Sequence, residues 1–193
     1  MNICVYGASS NSIAPEFIAA GEEIGKKLVE RGHSLVYGAG GGGMMGAAAR
    51  GVYAERGHIV GIAPKFFDVD GVLFEHCDEL IRPDTMRQRK QMMEERSDAF
   101  IVLPGGIGTY EEFFEILTLK QLARHKKPIA IYNIRGYFDP MQSMMEATVA
   151  QYFMNEATLR LYKTFDNADA LLDYLENYQT EEIDIRKMKD IKK

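Results

Sequence analysis

The run Phe100-Ile101-Val102-Leu103 passes directly into Pro104-Gly105-Gly106, and then through Ile107 and Gly108 into Thr109-Tyr110-Glu111-Glu112. A short unbroken apolar run closed by proline and glycine reads as a buried strand. Thr109 followed three residues later by Glu112 has the form of a capping box, the mark of a helix start. The stretch is therefore strand, glycine turn, helix. Such a strand must be covered on both faces, which admits few architectures. The free N–H groups of the turn and helix start also make a ready anion site. The turn is read as a phosphate holder, with Glu112 beside it as a residue that does chemistry.

The same unit recurs along the chain. Residues 3–6 form a strand that ends at Gly7-Ala8-Ser9-Ser10-Asn11, and Pro15 opens a helix with Phe17, Ile24 and Leu28 on one face, stopped by Gly32. Residues 34–37 form a strand, followed by Gly38-Ala39-Gly40-Gly41-Gly42-Gly43 and an Ala- and Met-rich helix to about residue 56. Further strands are expected at 58–62, 79–82, 99–103, 128–132 and 161–165, and helices at 84–96, 109–123 and 138–152. A last helix, capped by Asp166, carries Leu171, Leu172 and Leu175. This alternation predicts an α/β fold, a doubly wound, mainly parallel sheet with helices on both faces and right-handed crossovers. Residues 64–76 hold Phe66, Phe67, Val69, Val72, Leu73 and Phe74 with no clean period, and read as a long functional loop or lid. Residues 1–178 are assigned to a single domain and the mixed-charge residues 179–193 to a C-terminal helix or tail. Phe113, Phe114 and Leu117, with the Met-rich helix 138–152, are either core or subunit-interface positions.

A length of 193 residues suffices for one such domain, and 46% hydrophobic with 26% charged residues is ordinary for a soluble globular protein. The net charge of -5 favours no large polyanion, so nucleic acid is not an expected partner. A small phosphate ligand needs only local donors. Cys4 and Cys77 form neither a C-x-x-C pair nor a disulfide framework, which suits a reducing cytoplasm. No signal-like segment precedes the first strand, and no apolar run approaches the roughly 18 residues of a membrane span, so a cytoplasmic location without a membrane partner is expected. His33, His58, His76 and His125 lack ligand spacing, and neither metal nor cofactor is expected.

In open α/β sheets ligands sit beyond the carboxyl ends of the strands, so both glycine turns should share the ligand edge. The first matches G-x-G-x-x-G twice, as Gly38/Gly40/Gly43 and Gly41/Gly43/Gly46. It follows the second strand rather than the first, however, and the acidic residue expected about 20 residues on for a ribose is missing. No G-K-[ST] follows either, so neither a dinucleotide-binding oxidoreductase nor a P-loop is indicated. Close helix–sheet packing through Ala47, Ala48 and Ala49 is an alternative reason for those glycines. Capping alone would explain Thr109 and Glu112, but capping does not require the glycines in front of them. Arg89 lies three after Met86 and four before Met93, on one helix face with both. An arginine on an apolar stripe needs a partner or a ligand, and Glu112 follows 23 residues later (112 − 89). The two are either a structural ion pair or a pair that binds a sugar phosphate and stabilises charge at its anomeric carbon.

Together these residues resemble the LONELY GUY (LOG) family of cytokinin riboside 5′-monophosphate phosphoribohydrolases, many of them labelled lysine decarboxylase. Residues 104–112 fit P-G-G-x-G-T-x-x-E, and Met86-Arg87-Gln88-Arg89-Lys90 resembles M-H-x-R-K. Residues 4–10 resemble C-V-x-x-G-S-S, Leu35-Val36-Tyr37-Gly38 with Gly43-Met44-Met45-Gly46 resembles L-V-Y-G-G-G…G-L-M-G, and Ile62-Ala63-Pro64-Lys65 resembles I-I-P-K. The match runs from residue 1 to about 175. It implies a Rossmann-like fold, a homodimer, and hydrolysis of the N-glycosidic bond of an adenosine 5′-monophosphate, often N6-modified, to free base and ribose 5-phosphate. It assigns Arg89 and Glu112 as the catalytic pair. It gives Gly105, Gly106, Gly108 and Thr109 to the phosphate, and Ser9, Gly41, Gly42, Gly43, Met86, Lys90, Glu111 and Thr118 to substrate or phosphate contacts. Arg87 stands where the family has histidine, and Ala39 with four successive glycines replaces a common G-G-G-S. An acidic substrate contact of plant members falls near Gly71, with Asp70 adjacent. These departures bear on the preference for a prenylated adenine.

Breaking an N-glycosidic bond builds positive charge on the ribose, as in glycoside hydrolysis. A carboxylate at Glu112 can stabilise that charge, hold hydroxyls or position a water, with Arg89 orienting phosphate or ribose. A non-catalytic nucleotide or molybdenum-cofactor carrier is the alternative from another class; the Arg89/Glu112 pair argues against it. No motif commits a lysine to pyridoxal phosphate, which disfavours a decarboxylase.

Overall fold

The computed structural model describes residues 1–67, 71–180 and 182–189. Its strands are β1 (Asn2–Tyr6), β2 (Ser34–Tyr37), β3 (Ile59–Ile62), β4 (Glu79–Ile81), β5 (Ala99–Val102), β6 (Ile129–Tyr132) and β7 (Lys163–Phe165). They form one sheet of seven strands in the order β4-β3-β2-β1-β5-β6-β7, parallel at every pairing. The helices are α1 (Pro15–Glu30), α2 (Gly43–Ala54), α3 (Met86–Glu95), α4 (Ile107–Gln121), α5 (Asp139–Ala150), α6 (Ala168–Glu176) and the short α7 (Ile185–Lys189). This is the doubly wound α/β fold expected from the strand–turn–helix repeats.

The strands read as apolar runs because both faces are covered. Alternate residues of β1 serve opposite layers: Ile3 and Val5 pack with Ile24 and Leu28 of α1, Val52 of α2 and Leu171 of α6. Cys4 and Tyr6 pack with Met93 of α3, Phe113 and Leu117 of α4 and Met145 of α5. Phe113, Leu117, Met141 and Met145 are thus core residues, not interface positions. The chain runs from β1 out to β4, then returns to the other side of β1 as β5. That reversal opens a crevice at the carboxyl ends of β1 and β5, the place where such sheets bind ligands. Backbone bonds close its floor, Leu103 N to Tyr6 O at 2.9 Å and Ala8 N to Pro104 O at 3.0 Å.

Several helix starts differ from the sequence expectation: α3 opens at Met86 rather than at 84 and α5 at Asp139 rather than at 138, and the caps of α4 and α6 differ as well. Gly106, extended at φ -86 and ψ -156, is the N-cap of α4, so the helix begins at Ile107 and Thr109 already lies inside it. The expected Thr109/Glu112 capping box does not form, because the glycine lets the helix start earlier and Glu112 turns to Arg89 instead. Asn167, not Asp166, caps α6, its Oδ1 accepting from Ala170 N at 2.9 Å. A true capping box opens α3: Gln88 N donates to Thr85 Oγ1 at 3.2 Å and Thr85 N to Gln88 Oε1 at 3.1 Å.

The segment after β3 is no detached lid where it is described. Gly41 N donates to Val72 O and Phe74 N to Ala39 O, both at 2.9 Å, and Gly40 bridges Leu73. Val69 and Asp70 lie outside the described residues, as do 181 and 190–193 of the expected tail.

Candidate active site

The crevice holds a cavity of about 650 Å³ walled by the turns after β1, β2 and β5, by α3 and by residues 71–73. At its floor Arg89 and Glu112 meet. Both are nearly inaccessible, 6% and 8% exposed. Arg89 Nη1 donates to Glu112 Oε1 at 2.7 Å, and its Nε to the Ile62 carbonyl at 3.1 Å. The capping box sets α3 so that Arg89 faces the sheet, and the buried face of α4 carries Thr109, Glu112 and Phe113 together. Burial pushes the Glu112 carboxyl above the ordinary carboxylate range, and the opposing pull of Arg89 is the smaller influence. Oε1 is committed to Arg89, so the second carboxylate oxygen is the one a ligand can engage.

The two glycine turns differ in what they offer. At the N-terminus of α4 the helix supplies no partners for the N–H groups of Gly106, Ile107, Gly108 and Thr109, and all four residues line the cavity. The turn before α2 has spent three of its donors internally. Gly41 N goes to Val72 O, Gly43 N to Asn11 Oδ1 at 2.8 Å and Met45 N to Ala8 O at 3.1 Å. The start of α4 therefore offers an anion more donors than the first turn, although Gly40 and Gly42 of that turn also line the cavity. Gly38 has a packing reason to be glycine, since a Cβ there would collide with Arg89 Nη2. Gly38→Ala should displace the guanidinium and lower stability by about 1–3 kcal/mol in urea unfolding, as overpacking does.

Of the other residues singled out in the sequence, Ser9, Gly42, Met86 and Glu111 line the cavity. Gly105 lies just beneath it, packed on Thr109 and Ala8 N. Lys90 is held away from it by Glu111 and Glu115, Thr118 is exposed further along α4, and Arg87 is exposed on α3. Asn11, Met45 and Ile107 also line the cavity and were not singled out as site residues, while Phe67 and Leu73 line it from the segment read as a functional loop. Asn11, in the loop after β1, was the legible one, since such a side chain commonly caps a neighbouring backbone.

The family model described as possible lysine decarboxylase matches residues 45–175. Cytokinin riboside 5′-monophosphate phosphoribohydrolase LOG2 of Arabidopsis thaliana is 37% identical over 91% of this chain and 83% of that protein. The enzyme LOG of Oryza sativa subsp. japonica, of the same activity name, is 38% identical over 93% of this chain and 74% of its own length. Among solved structures, the molybdenum cofactor binding protein of Rippkaea orientalis superposes with a TM-score of 0.70 over 91% of this chain and 94% of that one; at 18% identity it shows a shared Rossmann-like fold.

Proposed function

The chain belongs to the family described as possible lysine decarboxylase, the one that holds the plant LOG phosphoribohydrolases, and on that premise we propose that it hydrolyses the N-glycosidic bond of an adenosine 5′-monophosphate to free base and ribose 5-phosphate. The observation that carries this reading is the buried Arg89–Glu112 pair, in one cavity with the unpartnered start of α4. Three residues of helix rise about 4.5 Å, so Glu112 sits one turn below Thr109 on the same face. A 5′-phosphate held by the N–H groups of residues 106–109 directs its ribose toward that carboxylate. Binding energy at the phosphate then serves the distant anomeric carbon. Glu112 stabilises the charge that develops on the ribose as the bonding pair of the N-glycosidic bond leaves with the base, and it takes a proton from the attacking water. The departing base takes up a proton in turn, so the water's OH ends on the ribose and its hydrogen on the base, while Arg89 holds the carboxylate in place.

Met45, Phe67, Leu73, Met86 and Ile107 give the cavity an apolar wall that suits an adenine, plain or N6-substituted. No helix among the described residues is long and apolar enough to cross a membrane. We assign the activity to residues 1–178, with 179–193 as an appendage, and read the protein as a cytoplasmic homodimer acting on a small nucleotide rather than on nucleic acid. The test is a panel of nucleoside monophosphates and the matching nucleosides, assayed for released base. AMP or its N6-substituted forms should be cleaved at least a hundredfold faster than adenosine, an effect of about 2.7 kcal/mol. Equal rates would refute the phosphate anchor.

A further inference from the structure

The turn that holds the phosphate in this reading has a support on its far side. Tyr137 Oη donates to the Gly105 carbonyl at 2.7 Å, across 32 residues of sequence. The Gly105–Gly106 peptide is trans, so its carbonyl and its N–H point to opposite sides. With the carbonyl held toward Tyr137, the Gly106 N–H is directed away from it, and Gly106 lines the cavity. Glycine on both sides leaves this peptide plane unusually free to turn over. A contact outside the two residues is needed to keep the N–H on the ligand side.

The chain builds a dedicated turn to deliver that contact. Arg135 and Gly136 are both left-handed, at φ 55 and φ 72, immediately before Tyr137. Asn133 clamps the turn: its Oδ1 accepts from Phe138 N and its Nδ2 donates to Asp139 Oδ1, each at 2.7 Å. Arg135 Nη1 pairs with Glu16 Oε1 at 2.6 Å, and the Phe17 ring meets the Tyr137 ring edge-on at 6.0 Å. Helix α1 thus braces the tyrosine against the turn after β5.

The geometry points to Tyr137 as a positioning residue for the phosphate: its hydroxyl fixes the Gly105–Gly106 peptide and, by polarising it, strengthens the Gly106 N–H as a donor. The inference rests on the phosphate anchor proposed above and adds the residue that sets the anchor's orientation. Because Tyr137 acts through a backbone carbonyl, its loss is felt by ligands with a phosphate and not by those without one.

The test is titration calorimetry of the full chain with ribose 5-phosphate and with adenosine, alongside steady-state hydrolysis of AMP. Tyr137→Phe should bind ribose 5-phosphate about tenfold more weakly, the loss of one hydrogen bond at a charged ligand. KM for AMP should rise by a similar factor with kcat within about twofold, and adenosine binding should not change. Phe17→Leu loosens the same ring but keeps the hydroxyl, and should leave ribose 5-phosphate affinity as it is. Undiminished ribose 5-phosphate binding by Tyr137→Phe overturns the inference. So does an equal loss for adenosine, or the same loss in Phe17→Leu, since each marks a packing role. A parent chain that does not bind ribose 5-phosphate removes the phosphate anchor and this inference with it. A parent that binds it but releases no base removes only the hydrolase reading, and the Tyr137→Phe comparison still decides this one.

Discussion

Glu112→Gln should lower kcat for AMP hydrolysis by about 10²–10⁴-fold, the usual worth of a positioned acid–base group, with little change in KM. The amide is isosteric with the carboxylate, and its oxygen can still accept from Arg89 Nη1, so the floor of the cavity keeps its shape. What disappears is the negative charge that faces the ribose as its positive charge develops. The phosphate donors at the start of α4 are untouched, which is why binding should survive. The same residue sets the acid limb of the pH profile. Burial holds the Glu112 carboxyl above the ordinary carboxylate range. On acidification it therefore takes its proton earlier than a solvated glutamate would, and kcat/KM should begin to fall at a correspondingly higher pH. Glu112→Gln should abolish that limb. A variant with parental turnover, or one that retains the limb, would remove Glu112 from the chemistry.

The features that were legible in the sequence are those written in side-chain pattern. Strands buried on both faces appear as unbroken apolar runs, as at Phe100 to Val102, and their alternation with helices left little choice of architecture. The meeting of Arg89 with Glu112 was legible because an arginine between Met86 and Met93 on one face demands a partner. What was not legible is carried by the backbone. The strap of residues 72–74 holds the first glycine turn through main-chain bonds, which leave no mark on residue type. One of those bonds takes up the Gly41 N–H, a donor that the glycine pattern alone would leave to a ligand. The start of α4 was misplaced because Thr109 and Glu112 satisfy a capping pattern, while a glycine N-cap announces itself weakly. Tyr137 was invisible for a third reason: its contact is with a carbonyl on another strand's turn, and no local pattern encodes it.

Arg89→Met should be the most destabilising change in the site, costing about 3–5 kcal/mol in urea unfolding near neutral pH, because it leaves a buried carboxylate without its partner. The cost is not fixed. Without Arg89 only burial acts strongly on Glu112, so its folded-state pKa rises further above the unfolded value. A group shifted in that direction carries no penalty below the unfolded pKa, where both states are protonated. The penalty grows as pH rises through the interval between the two values, and is complete above the folded one. The stability defect of Arg89→Met should therefore shrink on acidification, while that of a simple cavity would not. Pairing it with Glu112→Gln removes the stranded charge, so the double variant should recover much of the lost stability, with a coupling of at least about 1 kcal/mol. Activity should not recover with it, since the carboxylate that faces the ribose and the arginine that positions it are both gone. Arg89→Lys keeps a charge but loses the planar fork that reaches Glu112 and the Ile62 carbonyl together. It should fall between the parent and Arg89→Met in stability, and nearer to Arg89→Met in turnover. A double variant no more stable than Arg89→Met would mean that the arginine contributes packing alone. A double variant that regains turnover would mean that the pair is an ion bridge without a part in the reaction.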